Sequence, residues 1–230
     1  MSDRYRWYRV KLPSSVGDLQ DLLAKSPLTE NKSNGFSWGV NEDGVKECRF
    51  FWKTKISVTF LDESGNPSCE SIESISFTDF SIAYVDGFSF IRIKNPGRSV
   101  RELFNAIERA AGLGFTVRPV TLDDQAHTAI LESVDSYRLT GLKVVDATVG
   151  KDLLAKMEFT SKRDGLMGEI KTLDGVSYKV SYSTYDLLFN GLKGSITISA
   201  NGTVKVSGQI TQMLLGLLES SLPLQFKSKE

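Results

Sequence analysis

The sequence predicts an α+β protein, predominantly antiparallel β-sheet with about four helices packed on it, and three observations lead there. Period-two alternation of apolar and polar residues recurs along most of the chain. Asp-Gly and Asn-Gly pairs separate several of these runs. Such pairs favour two-residue hairpin turns, because those turns need positive φ. Twice, at 80–111 and at 195–218, a hairpin runs directly into an amphipathic helix. That repeated order raises the possibility of two related β-hairpin-helix halves, although hairpins beside helices are common enough to arise separately.

Taken in order, Tyr5 to Leu12 reads as a short strand, and Ser14 or Ser15 as the cap of a helix carrying Val16, Leu19, Leu22 and Leu23 that Pro27 ends. Thr29 to Gly35 is polar and reads as a loop, followed by a strand at Phe36 to Val40. The clearest strand is Cys48 to Phe60, with Cys48, Phe50, Trp52, Ile56, Val58 and Phe60 on one face and Arg49, Lys53 and Lys55 on the other. Leu61 to Glu73 is acidic and contains Gly, Pro and Ser, so a connection is expected there before a strand at Ser74 to Tyr84.

Asp86-Gly87 then turns the chain into Phe88 to Ile93, and Asn95-Pro96-Gly97 breaks it. Ser99 and Glu102 have capping-box spacing, ahead of a helix whose apolar face is Val100, Leu103, Phe104, Ile107 and Ala111. Phe115 to Val120 looks extended, and Leu122 to Ser133 is compatible with a short helix. Tyr137 to Val149, Leu153 to Ser161, Leu166 to Leu173 and Val176 to Thr184 form a strand-rich series. The second hairpin follows, and a last helix carries Ile210, Met213, Leu214, Leu217 and Leu218. The expected organisation is an N-terminal α+β half at 1–120, a connecting helical segment at 121–135 and a C-terminal α+β half at 136–230, or one continuous domain.

Composition narrows function by elimination. Lys and Arg number 28 and so do Asp and Glu, a balance that argues against a chain-wide electrostatic partner such as duplex DNA while leaving local patches open. No apolar stretch reaches the roughly 18 residues a membrane span needs, and Met1 to Lys11 lacks the apolar core of a secretory signal. A cytoplasmic protein is expected. Cys48 and Cys69 are too few for a disulfide framework, and Cys48 reads as a buried thiol.

Chemistry leaves few marks. His127 is the one histidine and follows Asp123-Asp124-Gln125, which suits a solvated or capping side chain better than a catalytic base. Two distant cysteines and one histidine do not make a zinc site, and no glycine-rich phosphate loop is present, so no catalytic residue, metal or cofactor is expected. Glu169-Ile170-Lys171 on a predicted strand has the acid-x-Lys form of metal-dependent nucleases. The same pattern recurs at Glu30-Asn31-Lys32, as chance alone allows.

Two basic features carry the binding readings. Arg92, Lys94, Arg98, Ser99 and Arg101 surround the start of the central helix, where helix amides and flanking Arg side chains suit an anion or an acidic protein partner. Arg4, Arg6, Trp7 and Arg9 interleave cations with an aromatic ring, as single-strand nucleic-acid sites do. On a strand, however, Arg4, Arg6 and Tyr8 share one face and Tyr5, Trp7 and Arg9 the other, which equally suits rings packed on a core beneath Arg side chains. The function expected is a non-catalytic binding or assembly subunit of a larger complex. A nucleic-acid-binding module is the alternative, and a metal-dependent nuclease a more distant one.

Overall fold

Alternation becomes strand along most of the chain. In the computed structural model, which describes residues 2–40, 46–97, 100–122, 124–150, 153–161 and 170–227, the strands are β1 (Ser2–Lys11), β2 (Asn34–Val40), β3 (Lys46–Leu61), β4 (Pro67–Val85), β5 (Phe88–Lys94), β6 (Thr116–Pro119), β7 (Ser136–Gly150), β8 (Leu153–Thr160), β9 (Lys179–Phe189), β10 (Leu192–Ser199) and β11 (Thr203–Gly208). The helices are α1 (Leu19–Ala24), α2 (Arg101–Ala111), α3 (Asp124–Glu132), α4 (Thr211–Ser221) and α5 (Leu224–Lys227). Sheet is mostly antiparallel, as expected.

The chain divides into two compact units. The first comprises Met1–Arg9, Ala83–Phe90 and Arg118–Glu230, and the second Val10–Ile82 and Ile91–Val117. Four strands, β1, β4, β5 and β6, contribute residues to both.

In the first unit the strand order runs β5-β1-β11-β10-β9-β7-β8, with β6 also on β1. Its core gathers Tyr5 and Trp7 from β1, Val204 and Val206 from β11, Ile196 and Ile198 from β10, and Leu214, Leu215 and Leu218 from α4. Ile130 of α3 and Phe226 of α5 pack on the same cluster. Trp7 is 1% exposed, and its indole N–H donates to Glu219 at 3.1 Å. Gly194 lies opposite Gly208 in the β10–β11 pair, and a side chain at Gly194 would collide with Ile210, which fills that space. Two hairpins turn on residue pairs with positive φ, Asp86-Gly87 (49° and 78°) and Asn190-Gly191 (49° and 74°).

In the second unit β2 pairs β3 and β3 pairs β4, all antiparallel. Phe36, Phe50 and Phe80 are buried, with the Phe36 ring 5.1 Å from that of Phe50 and 6.2 Å from that of Phe80. Leu103 and Phe104 of α2 are buried, like Leu214 of α4 in the first unit, so these expected core positions hold.

Several expectations need correcting. Asp18, rather than Ser14 or Ser15, caps α1, accepting from the amides of Gln20 and Asp21. The helix begins at Leu19 because this carboxylate satisfies its first free amides. Asp18→Ala should cost roughly 0.5–2 kcal/mol in urea denaturation. The loop expected up to Gly35 ends earlier, since β2 starts at Asn34.

Leu61 to Glu73 is largely strand. Asp62 accepts from the amides of Ser64 and Asn66, Gly65 takes a φ of 82°, and Leu61 pairs Pro67. The reversal thus takes only Asp62 to Asn66. The hydrogen bonds from Asn66, first the backbone and then the side chain, hold the Asp62 carboxyl below its ordinary pKa. The remaining polar residues form a ribbon exposed on both faces, which is why their composition resembles a loop.

Lys171 to Leu173 is a 3-10 turn and not a strand, with Leu173 buried against Val144 and Ala147. Residues 166–169 of that expected strand, and Ser99 of the expected capping box, lie outside the described residues. The position before α2 that can be described, Val100, supplies no side-chain cap. His127 is half-buried rather than solvated, its ring edge-on to Tyr185 at 5.3 Å.

The cysteines differ in reach. Cys48 is 1% exposed, and burial, then the Asp79 charge, pushes its thiol far above the ordinary range, while Cys69 is exposed. A thiol reagent at pH 8 should therefore modify Cys69 in the native protein and reach Cys48 only after denaturant is added. Mass spectrometry of the labelled peptides checks this.

Candidate functional site

Antiparallel pairing places directly opposed residues on the same face. Following the pairs across the first unit shows what lies opposite its apolar core. Arg4 opposes Lys205, Lys205 opposes Thr197, Thr197 opposes Thr184, Thr184 opposes Gly141, and Gly141 opposes Thr160. The adjoining row runs Ser2, Ser207, Ser195, Asp186, Arg138. On the other side Arg6 opposes Thr203, while Ser199, Tyr182, Lys143 and Glu158 are joined pair by pair. Helices α3, α4 and α5 pack on the apolar side. This second face is thus bare of them, and its rows mix short hydroxyls with cations, the acids Asp186 and Glu158, and Tyr182.

The face is pre-ordered by contacts of its own. Hydroxyls meet at 2.7 Å between Ser195 and Ser207 and at 3.0 Å between Thr184 and Thr197. Arg138 pairs with Asp186 at 2.9 Å. Glu158 accepts from the Tyr182 hydroxyl at 2.6 Å and lies 3.6 Å from the Lys143 ammonium. The hydrogen bond from Tyr182, with the Lys143 charge, holds the Glu158 carboxyl below its ordinary range, and the same bond raises the Tyr182 phenol. Both acids of these rows are therefore engaged with basic residues of the face. Arg4, Lys193 and Lys205 are exposed, and a shallow depression of about 580 Å³ lies among Arg138, Asp186, Lys193, Ser195 and Ser207.

The two sequence-level basic features fare differently. Alternation splits β1 as expected: Arg4 and Arg6 lie on the polar face, and Tyr5 and Trp7 in the core. Trp7 at 1% exposure offers no ring for stacking on a base. Arg9 is turned to the same side as Trp7, its guanidinium 4.4 Å from the Phe88 ring centre and 4.5 Å from that of Phe226. Of the four expected nucleic-acid contacts Arg4 alone is exposed; Arg6 shares its face but is half-buried, its guanidinium 5.5 Å from the ring centre of the buried Tyr8, and Trp7 and Arg9 take part in core packing.

At the entry to α2, Arg92 is 8% exposed and so is not presented to solvent, Lys94 is half-buried, and Arg101 is exposed. Arg98 and Ser99 lie outside the described residues, as does Glu169 of the acid-x-Lys element. Lys171 of that element sits at the start of the 3-10 turn. Among the described residues, no cluster of three His, Cys, Asp or Glu side chains is arranged to hold a metal ion.

Lys193, Lys205, Arg138 and Lys143 were not legible as site residues. Each is one solvent-facing position on an alternating strand; strand pairing sets Lys205 beside Arg4 and places the other three on the same face several strands away. No family profile matches the chain, and no curated protein matches it in sequence.

Proposed function

We propose that this protein is a non-catalytic binding subunit and that the helix-free sheet face of its first unit binds nucleic acid. One observation carries the reading: Arg4 and Lys205 stand side by side at one end of a row that continues through Thr197, Thr184, Gly141 and Thr160 without a carboxylate. Cations attract a phosphate backbone, and short hydroxyls let it approach while donating to its oxygens. An open sheet supplies such a platform without a pocket. Among the described residues the face offers no exposed Trp or Phe, so backbone contact is expected to outweigh base stacking, with little sequence preference. The two cysteines, both free, agree with a cytoplasmic setting.

Fluorescence anisotropy with labelled single-stranded and duplex oligonucleotides, at several salt concentrations, tests this. An Arg4→Glu, Lys205→Glu variant should bind at least about tenfold more weakly, and its salt dependence should flatten by about two ion equivalents. Absence of binding by the unaltered protein at low salt removes the reading.

A protein partner is the second reading, favoured by the outer part of the β3–β4 ribbon. There Ile56 (49% exposed) opposes Ile72 (46%), with Phe60 (45%) on the same face. An Ile56→Asp, Ile72→Asp variant that melts like the unaltered protein should lose any copurifying subunit. Retention of that subunit would set this surface aside.

A further inference from the structure

Strand β8 ends the strand order of the first unit and, among the described residues, is hydrogen-bonded to β7 alone. An exposed sheet edge is a template for another strand. Ser161 donates its N–H to the Thr140 carbonyl at 2.9 Å, toward β7. By alternation, Met157 and Phe159 also turn their amide groups to β7, while Leu154, Lys156, Glu158 and Thr160 turn theirs outward.

We propose that this edge pairs with the same edge of a second copy, as a two-fold antiparallel dimer centred on Met157, with Lys156 of each copy opposite Glu158 of the other. Outward-facing amides must oppose outward-facing amides, so a symmetric register is centred on a single residue. Centred on Lys156, the two ammonium groups meet. Centred on Glu158, the two carboxylates meet. Only the register centred on Met157 opposes unlike charges, and by symmetry it does so twice.

The same register suits the apolar side. Ala155, Met157 and Phe159 are half-buried against the cluster of Val144, Ala147 and Leu173. In the dimer Phe159 lies opposite Ala155 of the second copy, large against small, and the two Met157 side chains meet on the axis. Leu154, 65% exposed, falls opposite Thr160. Glu158 is held in position by Tyr182 and Lys143 on its own chain. Charges on an edge strand ordinarily repel other strands, and here their order excludes neighbouring registers while admitting this one.

Sedimentation equilibrium of the full chain over a wide concentration range should show a reversible dimer. Lys156→Glu alone and Glu158→Lys alone should each raise the dissociation constant about tenfold or more, because the axis counts each change twice. The double variant Lys156→Glu, Glu158→Lys should restore dimerisation, and melting curves identify any variant that fails to fold. A second measurement needs no charge change. With Cys69→Ser as background, Met157→Cys places two thiols on residues whose Cα atoms are about 4.5 Å apart, within reach of a disulfide. Mild oxidation should link that variant readily, and a Lys156→Cys variant, displaced along the strand from its copy, much more slowly. A strictly monomeric chain, a dimer indifferent to both single reversals, or equal linkage at 156 and 157 would each overturn the proposal.

Discussion

Truncating Trp7 to Ala should cost about 3–5 kcal/mol of folding stability and lower the melting temperature by roughly 10 °C. The indole lies in the main core of the first unit at 1% exposure, so its removal leaves a cavity that surrounding strands and helices cannot fill without shifting. It also removes the donor to Glu219 at 3.1 Å, leaving a part-buried carboxylate with one partner fewer. Trp7→Phe separates the two effects. It returns most of the ring volume without the N–H, and should recover more than half of the loss. Urea denaturation of both variants checks this, and a near-neutral Trp7→Ala would mean that the core is not centred there.

Gly202→Ala is expected to cost about 3 kcal/mol, from about 1–2 for a left-handed backbone and about 1–3 for overpacking. Gly202 has a φ of 80°, and an added Cβ would overlap the Val120 carbonyl oxygen and lie 3.2 Å from the Thr121 Cα. Both neighbours are backbone, so no rotamer change relieves the overlap. The Val120 N–H in turn donates to the Trp7 carbonyl at 2.9 Å, which fixes that segment in place. Gly87→Ala is the control. Its φ of 78° is nearly the same, and nothing lies within 4 Å of the added Cβ, so only the backbone strain of about 1 kcal/mol should appear. Equal losses at the two glycines in thermal melts would show that the Val120 contact costs nothing.

Properties that depend on near neighbours were legible along the chain. The alternation at Arg4, Tyr5, Arg6 and Trp7 decided which side chains share a face, because successive residues of a strand point to opposite sides. Asp86-Gly87 announced its turn through the positive φ that both residues adopt, and Leu103, Phe104 and Ile107 marked the buried face of α2. Where the local signal was ambiguous the reading failed. Cys69 to Glu73 lies on a ribbon exposed on both faces, so Ile72 stands among polar neighbours with no buried side to set an alternation, and strand there looked like loop. His127 sits among acidic and polar neighbours in sequence, yet tertiary packing sets its ring against Tyr185.

Sequence by itself determined an antiparallel sheet protein, the faces of its strands and the turns between them, since each of these rests on steric preferences within a few residues. Tertiary structure alone decided that β1 lies beside β11, so that Arg4 meets Lys205, and that β8 ends the order with Lys156 and Glu158 on its edge. Which strands adjoin, and in what register, follows from burying all the apolar faces together. No single strand carries that information.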